Sequence, residues 1–333
     1  MRLRAILFLL PLAVALARAD AGTLSTVMFS TYTPLSSNHE LASRFLTPMT
    51  AASVPTRLAA MRKRLSEQPV DLSKETFLLY VPAPQPSGLY GLLVFVPPWD
   101  EARLPAGWQD VLDRFGLIFV SASHSGNGET DLGRREPLAI LAEQNIAKRY
   151  PVAPDRIFVA GFSGGSRVAM RLALAYPDLF GGAILNAGSD PIGTAEVPIP
   201  APDLLRLFQE HSRLIYVTGA RDITRLAMDA ASIRSMRSWC QFNIQEIRPD
   251  SDHTVTDSRA LARAFDALLA PAEGEPIKLV ACREAIRAEL SSQIGQLHAL
   301  DVAGKTDEAR TLAREIDARF GGLAAREMLS RIP

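Results

Sequence analysis

Over residues 76–269, short apolar runs alternate with segments of helical periodicity, and this alternation restricts the chain to very few architectures. Strand-like runs fall at 76–81, 92–96, 117–121, 156–160, 182–185, 213–218 and 243–247, with helical patterns at 137–149, 163–176, 225–239 and 255–269. Runs such as LLVFV and RIFVA are apolar at every position rather than at every second one. A strand of that kind is covered on both faces, as in a parallel sheet whose crossover helices pack on either side. The expected fold class is α/β, a mostly parallel sheet with helices on both faces.

The remainder of the chain bounds the function. With 333 residues, 47% of them hydrophobic, it can bury a sizeable core, which excludes intrinsic disorder and a small disulfide scaffold. Lys+Arg and Asp+Glu balance at 36 each, which argues against a nucleic-acid binder, since such proteins carry a clustered basic excess. Residues 1–19, MRLRAILFLLPLAVALARA, place Arg2 and Arg4 before an apolar stretch and end in small residues at Ala17 and Ala19. This is the pattern of a secretory signal peptide cut before Asp20. Its apolar stretch contains Pro11 and is shorter than the roughly 20 residues needed to span a bilayer. Its removal takes Arg2, Arg4 and Arg18, leaving a slightly acidic protein expected in the periplasm or outside the cell.

In an oxidising compartment Cys240 and Cys282 can form one disulfide, worth roughly 3 to 4 kcal/mol by chain entropy. Two buried thiols are the alternative, because spacing along the chain does not give the Cα separation. Residues 20–74 read as an amino-terminal extension without strong strand signals. Ser37-Asn38-His39-Glu40 forms a capping box that opens a short helix, and a second helix is expected over 56–66 from the spacing of Leu58, Met61 and Leu65. Residues 75–270 would form the main α/β unit. Residues 277–333 carry two amphipathic helical patterns separated by Gly304, and GKTDEARTLA resembles the second helix of a tetratricopeptide-like unit. One hairpin cannot make a solenoid, so a docking appendage is expected, with binding of a protein partner as the sharper reading.

The chemistry centres on Gly161-Phe162-Ser163-Gly164-Gly165, a G-x-S-x-G motif directly after one strand-like run and directly before a helix. That context makes it a nucleophile elbow: the serine takes a strained conformation at a tight turn, and the flanking glycines remove Cβ groups that would collide. A serine hydroxyl needs a base. Of His39, His124, His211, His253 and His298, His253 lies in the loop after the last strand-like run, where the carboxyl edge of a sheet would present it; His124 competes. A carboxylate must orient the imidazole, and Asp222 follows a strand run on that same edge. Asp190 is the runner-up, while Asp250 and Asp252 are too close to His253 in sequence. H-E-x-x-H, C-x-x-C and a phosphate-cradling G-x-x-x-x-G-K are absent from the sequence, and Gly126-Asn127-Gly128 reads as a turn. No cofactor and no metal are expected.

The order Ser163, Asp222, His253 is that of the α/β-hydrolase superfamily. The chain resembles secreted esterases of the polyhydroxybutyrate-depolymerase and feruloyl-esterase type, with YPVAPDRIFVAGFSGGSRVAMRLALAYPDLFGGAI as the most similar stretch, over about residues 75–270. The resemblance implies an eight-stranded type of sheet and two-step hydrolysis of a small-molecule or polymeric ester through an acyl-enzyme. It departs in one place: members often carry His-Gly after the third strand, where this chain has Pro97-Pro98-Trp99-Asp100. Proline has no N–H to donate. The oxyanion hole is therefore expected from Gly164 with Trp99 or Asp100. A prolyl-oligopeptidase-like peptidase and a non-catalytic binding protein are the rival readings, and the first lacks support because no sizeable lid or propeller insertion interrupts the chain.

Overall fold

The computed structural model describes residues 19–271 and 276–332, so the signal segment read at 1–19 lies outside the described residues except for Ala19. Among the described residues one sheet contains β1 (Leu24–Val27), β2 (Phe77–Tyr80), β3 (Tyr90–Val96), β4 (Leu117–Ala122), β5 (Val152–Phe162), β6 (Gly182–Asn186), β7 (Arg213–Val217) and β8 (Ile244–Ile247). Its order is β1-β2-β4-β3-β5-β6-β7-β8. The β1–β2 and β2–β4 pairings are antiparallel and all the others parallel. Around it lie α1 (Asn38–Phe45), α2 (Pro48–Ala60), α3 (Trp108–Phe115), α4 (Glu136–Arg149), α5 (Gly164–Ala175), α6 (Pro202–His211), α7 (Ile223–Ser238) and α8 (Ser258–Leu269), followed by α9 (Pro276–Val302), α10 (Thr306–Phe320) and α11 (Ala325–Leu329).

The fully apolar runs behave as strands covered on both sides. Every residue of β3 is buried. Leu92, Val94 and Val96 pack in one core with Leu138 and Leu141 of α4 and Val168 and Leu172 of α5. Leu93 and Phe95 face the other way, into a second core with Trp108 and Leu112 of α3 and Leu261 and Phe265 of α8. The period-two alternation of a strand thus feeds two cores rather than one core and solvent.

Three features differ from the sequence expectation. The extension at 20–74 does supply a strand: β1 pairs with β2 from Leu24 opposite Tyr80 to Val27 opposite Phe77. It lies at the sheet edge with a half-exposed pattern, so its ladder holds it without the apolar run that marks a central strand. The second helix is α2, not 56–66. Thr47 caps it, its Oγ1 accepting from the Thr50 N–H at 3.4 Å, and Pro48 fills the first turn, where a missing N–H costs nothing. Pro55 lies inside this helix and reads misleadingly as a boundary, whereas the real stop is Arg62, in the left-handed region at φ 54°. Met61 and Leu65 are 58% and 45% exposed, so they form no core stripe. Helices α3 and α6 are additional; for α3 the signal was present in Trp108, Val111, Leu112 and Phe115, spaced i, i+3, i+4, i+7 between Gly107 and Gly116.

The carboxy-terminal hairpin α9–α10 docks on the body. The Met49 N–H of α2 donates to Asp317 Oδ1 of α10 at 3.1 Å, placing a carboxylate on a helix amino terminus. Phe320 meets Trp239 edge-on at 6.0 Å, and Arg283 of α9 donates to Gln209 and Glu210 of α6. Cys240 and Cys282 form a disulfide between the end of α7 and α9, with Cα atoms 5.8 Å apart and 42 residues of separation. Closing a loop of that length is worth about 4 kcal/mol in the chain-entropy account. Reduction, or Cys282→Ser, is expected to lower the unfolding free energy obtained from chemical denaturation by about that amount while leaving the far-ultraviolet spectrum of the folded protein unchanged.

Candidate active site

Ser163 sits where β5 turns directly into α5. Its φ of 54° and ψ of −118° lie outside the regions open to an ordinary L-residue, a strain that persists only when the surroundings fix it. The Ser163 N–H donates to the Asn186 carbonyl at 2.8 Å, and Ser166 N–H donates to the Ser163 carbonyl at 3.1 Å. A Cβ at Gly165 would overlap the Val96 carbonyl, and one at Gly161 would overlap the Gly165 backbone. The turn can therefore be this tight only with glycine at both places.

Two further strand ends meet this elbow. After β7 the chain passes through Gly219 to Asp222, which caps α7 by accepting from the Arg225 N–H at 3.3 Å. After β8 it reaches His253. His253 Nδ1 lies 2.6 Å from Asp222 Oδ2, and His253 Nε2 lies 2.9 Å from Ser163 Oγ. The Asp222 side chain is 8% exposed and that of His253 39%, so the carboxylate is sheltered while the imidazole borders solvent. Phe162 packs against the His253 ring, centroids 4.9 Å apart. The two loops are joined by Ala220 N–H to Pro249 carbonyl at 2.8 Å and Arg221 N–H to Ser251 carbonyl at 3.1 Å.

The runner-up residues lie elsewhere. Asp190 is bound by Arg167, whose Nε sits 2.9 and 2.8 Å from its two oxygens. Asp250 and Asp252 both pair with Arg221. His124 is exposed with φ 51°, and its N–H donates to the Asp100 carbonyl at 2.6 Å. His39 lies on α1, His211 ends α6, and His298 pairs with Glu327 at 3.0 Å.

Gly164 opens α5, where the first N–H groups have no helical acceptor and the helix dipole favours negative charge. A Cβ at Gly164 would overlap Asn127 Oδ1, so the Asn127 amide lies against this face of the elbow. Trp99 lies in the loop after β3, beside β5 in the sheet. Its ring packs on Phe95 and Phe162 at 6.1 and 6.3 Å and lies under the Arg103 guanidinium at 4.0 Å. Ser163 and Trp99 thus follow neighbouring strands at the point where strand order reverses, the crevice in which open α/β sheets bind ligands.

Sequence reasoning missed the residues that hold these loops. Asn186 Oδ1 accepts from the Thr256 N–H at 2.7 Å and its Nδ2 donates to the Val217 carbonyl at 2.8 Å, joining the loop carrying His253 to β6 and β7. Buried Asp229 accepts from Ser189 Oγ at 2.7 Å and Thr218 Oγ1 at 2.5 Å. An Asn at a strand end and an Asp in a helix carry no motif, so only the fold exposes their roles.

Glu136, at the start of α4, is fully buried with neither carboxylate oxygen hydrogen-bonded. Burial, reinforced by Asp131 and opposed by Arg171 and Arg135, pushes its carboxyl up to about 8. The folded protein therefore keeps a proton that the unfolded chain releases at ordinary carboxylate pH. The stabilisation is complete below the unfolded value and is lost as pH rises to about 8. Glu136→Gln, which needs no proton, is expected to gain in melting temperature over the parent between pH 5 and pH 8; a constant difference across that range would contradict this.

An eight-stranded sheet in this order, with a serine elbow after β5 and further loops converging at its carboxyl edge, is the α/β-hydrolase fold. No family model matches the chain. It is similar to a poly(3-hydroxybutyrate) depolymerase of Ralstonia pickettii, 26% identical over 106 residues, a match spanning 28% of this chain and 22% of that relative's length. Among solved structures it is similar to a ferulic acid esterase, 16% identical with TM-score 0.42, covering 57% of this chain and 89% of that one. It is also similar to an acetyl xylan esterase from Aspergillus awamori, 14% identical with TM-score 0.44, covering 59% and 94%. An S-formylglutathione hydrolase from Staphylococcus aureus is 13% identical with TM-score 0.45, covering 59% and 93%.

Proposed function

We propose that this protein is an exported serine hydrolase that cleaves a carboxylic ester, with residues 75–270 as its catalytic unit. The observation that carries the reading is the hydrogen-bonded line from Ser163 Oγ through His253 to Asp222, assembled from three separate strand ends. Ser163 Oγ attacks the ester carbonyl carbon while His253 Nε2 takes the hydroxyl proton. The tetrahedral oxyanion is held by the Gly164 N–H and a second donor from Trp99. Collapse expels the alcohol, which receives the proton from His253, and leaves an acyl group on Ser163. Water, deprotonated by His253, attacks the acyl carbon; the second tetrahedral species collapses to the carboxylic acid and returns the proton to Ser163. Asp222 keeps the Nδ1 proton in place and stabilises the imidazolium formed in each half-reaction.

Export is supported by the segment at 1–19 and by a disulfide, which persists in oxidising compartments. No helix among the described residues is long and apolar enough to cross a membrane. A fluorophosphonate probe is expected to label Ser163 stoichiometrically in the folded protein, and a panel of p-nitrophenyl esters to be hydrolysed with an initial burst. Lack of labelling together with inertness toward the panel would overturn the reading.

A further inference from the structure

The loop after β3 poses a physical problem. It must present an N–H at a fixed place, yet Pro97 and Pro98 remove two of the amide groups that would normally anchor it. The anchoring is done through carbonyls instead. The Pro98 carbonyl accepts from the Asn127 N–H at 3.0 Å, and the Asp100 carbonyl from the His124 N–H at 2.6 Å. The Pro97 carbonyl accepts from Arg135 Nη2 at 3.1 Å. Arg135 also donates from Nε to the Ser125 carbonyl at 2.9 Å and from Nη2 to Asn127 Oδ1 at 3.5 Å, while Nη1 pairs with Asp131 at 3.2 Å. Its side chain is only 5% exposed. One guanidinium therefore joins the loop after β3, which carries Trp99, to the loop after β4, whose Asn127 amide lies against Gly164.

The local backbone is irregular at this residue. Asp131–Arg135 form a π-helical turn, with the Arg135 N–H bonded to the Thr130 carbonyl at 3.1 Å and the Glu136 N–H to that of Asp131. Turns of this kind are rare and recur at functional sites. The turn leads into α4, and both Arg135 and Glu136 at the junction are buried.

We infer that Arg135 is a positioning residue for the oxyanion hole, fixing the Pro97–Asp100 loop so that the second donor is in register with Gly164. The inference rests on the ester-hydrolase reading. A planar fork of five donors can hold three acceptors on two loops at once; a lysine ammonium, a single point on a flexible stem, cannot reproduce that spacing. Displacing a positioned group by about 1 Å can cost on the order of 100-fold in rate.

The test compares Arg135→Lys with Asp131→Asn, which removes the ion pair but leaves the carbonyl bonds of Arg135. Rates are normalised to sites titrated by a fluorophosphonate, so that misfolded molecules are not counted. R135K is expected to lose about 10- to 100-fold in kcat with KM changed less than about threefold, and D131N to keep kcat within about threefold. Affinity for an alkyl boronic acid, whose serine adduct carries the tetrahedral oxyanion, should fall in R135K in step with kcat rather than with KM. Guanidinium chloride should restore part of kcat to Arg135→Ala. The inference is overturned if R135K keeps parental kcat, if boronate affinity is unchanged, or if titratable sites vanish and guanidinium does not restore them, which would make Arg135 a folding residue only. Full activity in a Ser163→Ala protein would overturn the hydrolase reading instead, so the two failures are distinct.

Discussion

Ser163→Ala is expected to lower hydrolysis of p-nitrophenyl esters by at least about 10⁴-fold in kcat, with no loss of thermal stability. Removing Oγ takes away the only atom that forms the covalent acyl link, and neither the base nor the oxyanion donors can replace it. What persists is the small catalysis due to binding and charge stabilisation. The fold should tolerate the change because the Ser163 backbone, not its hydroxyl, carries the bonds to Asn186 and Ser166. Steady-state rates, with an assay of fluorophosphonate incorporation, check both halves; a variant retaining more than about a tenth of parental kcat would contradict the nucleophile assignment.

Asp222→Asn is expected to be nearly as damaging, at about 10⁴-fold in kcat near neutral pH, while Asp190→Asn keeps most of the activity. The reason lies in which way the imidazole proton points. Asp222 Oδ2 can only accept, so Nδ1 holds the proton and Nε2 is left free to accept from Ser163 Oγ. An asparagine amide can donate to Nδ1, which moves the proton to Nε2 and aims a donor at a hydroxyl that needs an acceptor. Asp190 is engaged with Arg167 and makes no contact of that kind, so its change is expected to act on loop stability. Equal losses in both variants, measured as kcat on one ester, would argue that the acid assignment is wrong.

The fold was legible because the chain repeats its signal. Apolar runs such as LLVFV and RIFVA, separated by helical patterns, can be buried on both faces in only one kind of layer structure, and each run lies in a strand of the sheet. Weakly patterned elements escaped. β1 is an edge strand whose partner supplies its order, and α2 contains a proline that reads as a boundary. For the candidate site, the elbow was legible because its constraint is local: a tight turn, glycines where a Cβ would collide, and a helix start, all within five residues.

The base and the acid were legible only as positions. Residues that follow strands gather on one edge, which narrows five histidines to two and several carboxylates to a pair, but strand order and loop length decide which of them meet. The sequence by itself determined the fold class and the tight turn at Ser163, because each depends on periodicity or on contacts between near neighbours. Only the tertiary structure decided that His253 lies 2.9 Å from Ser163 Oγ, that Asp190 is taken up by Arg167, and that Arg135 ties two loops 38 and 10 residues away in sequence. These are contacts between distant parts of the chain, set by the packing of strands β3 to β8, and no local pattern records them.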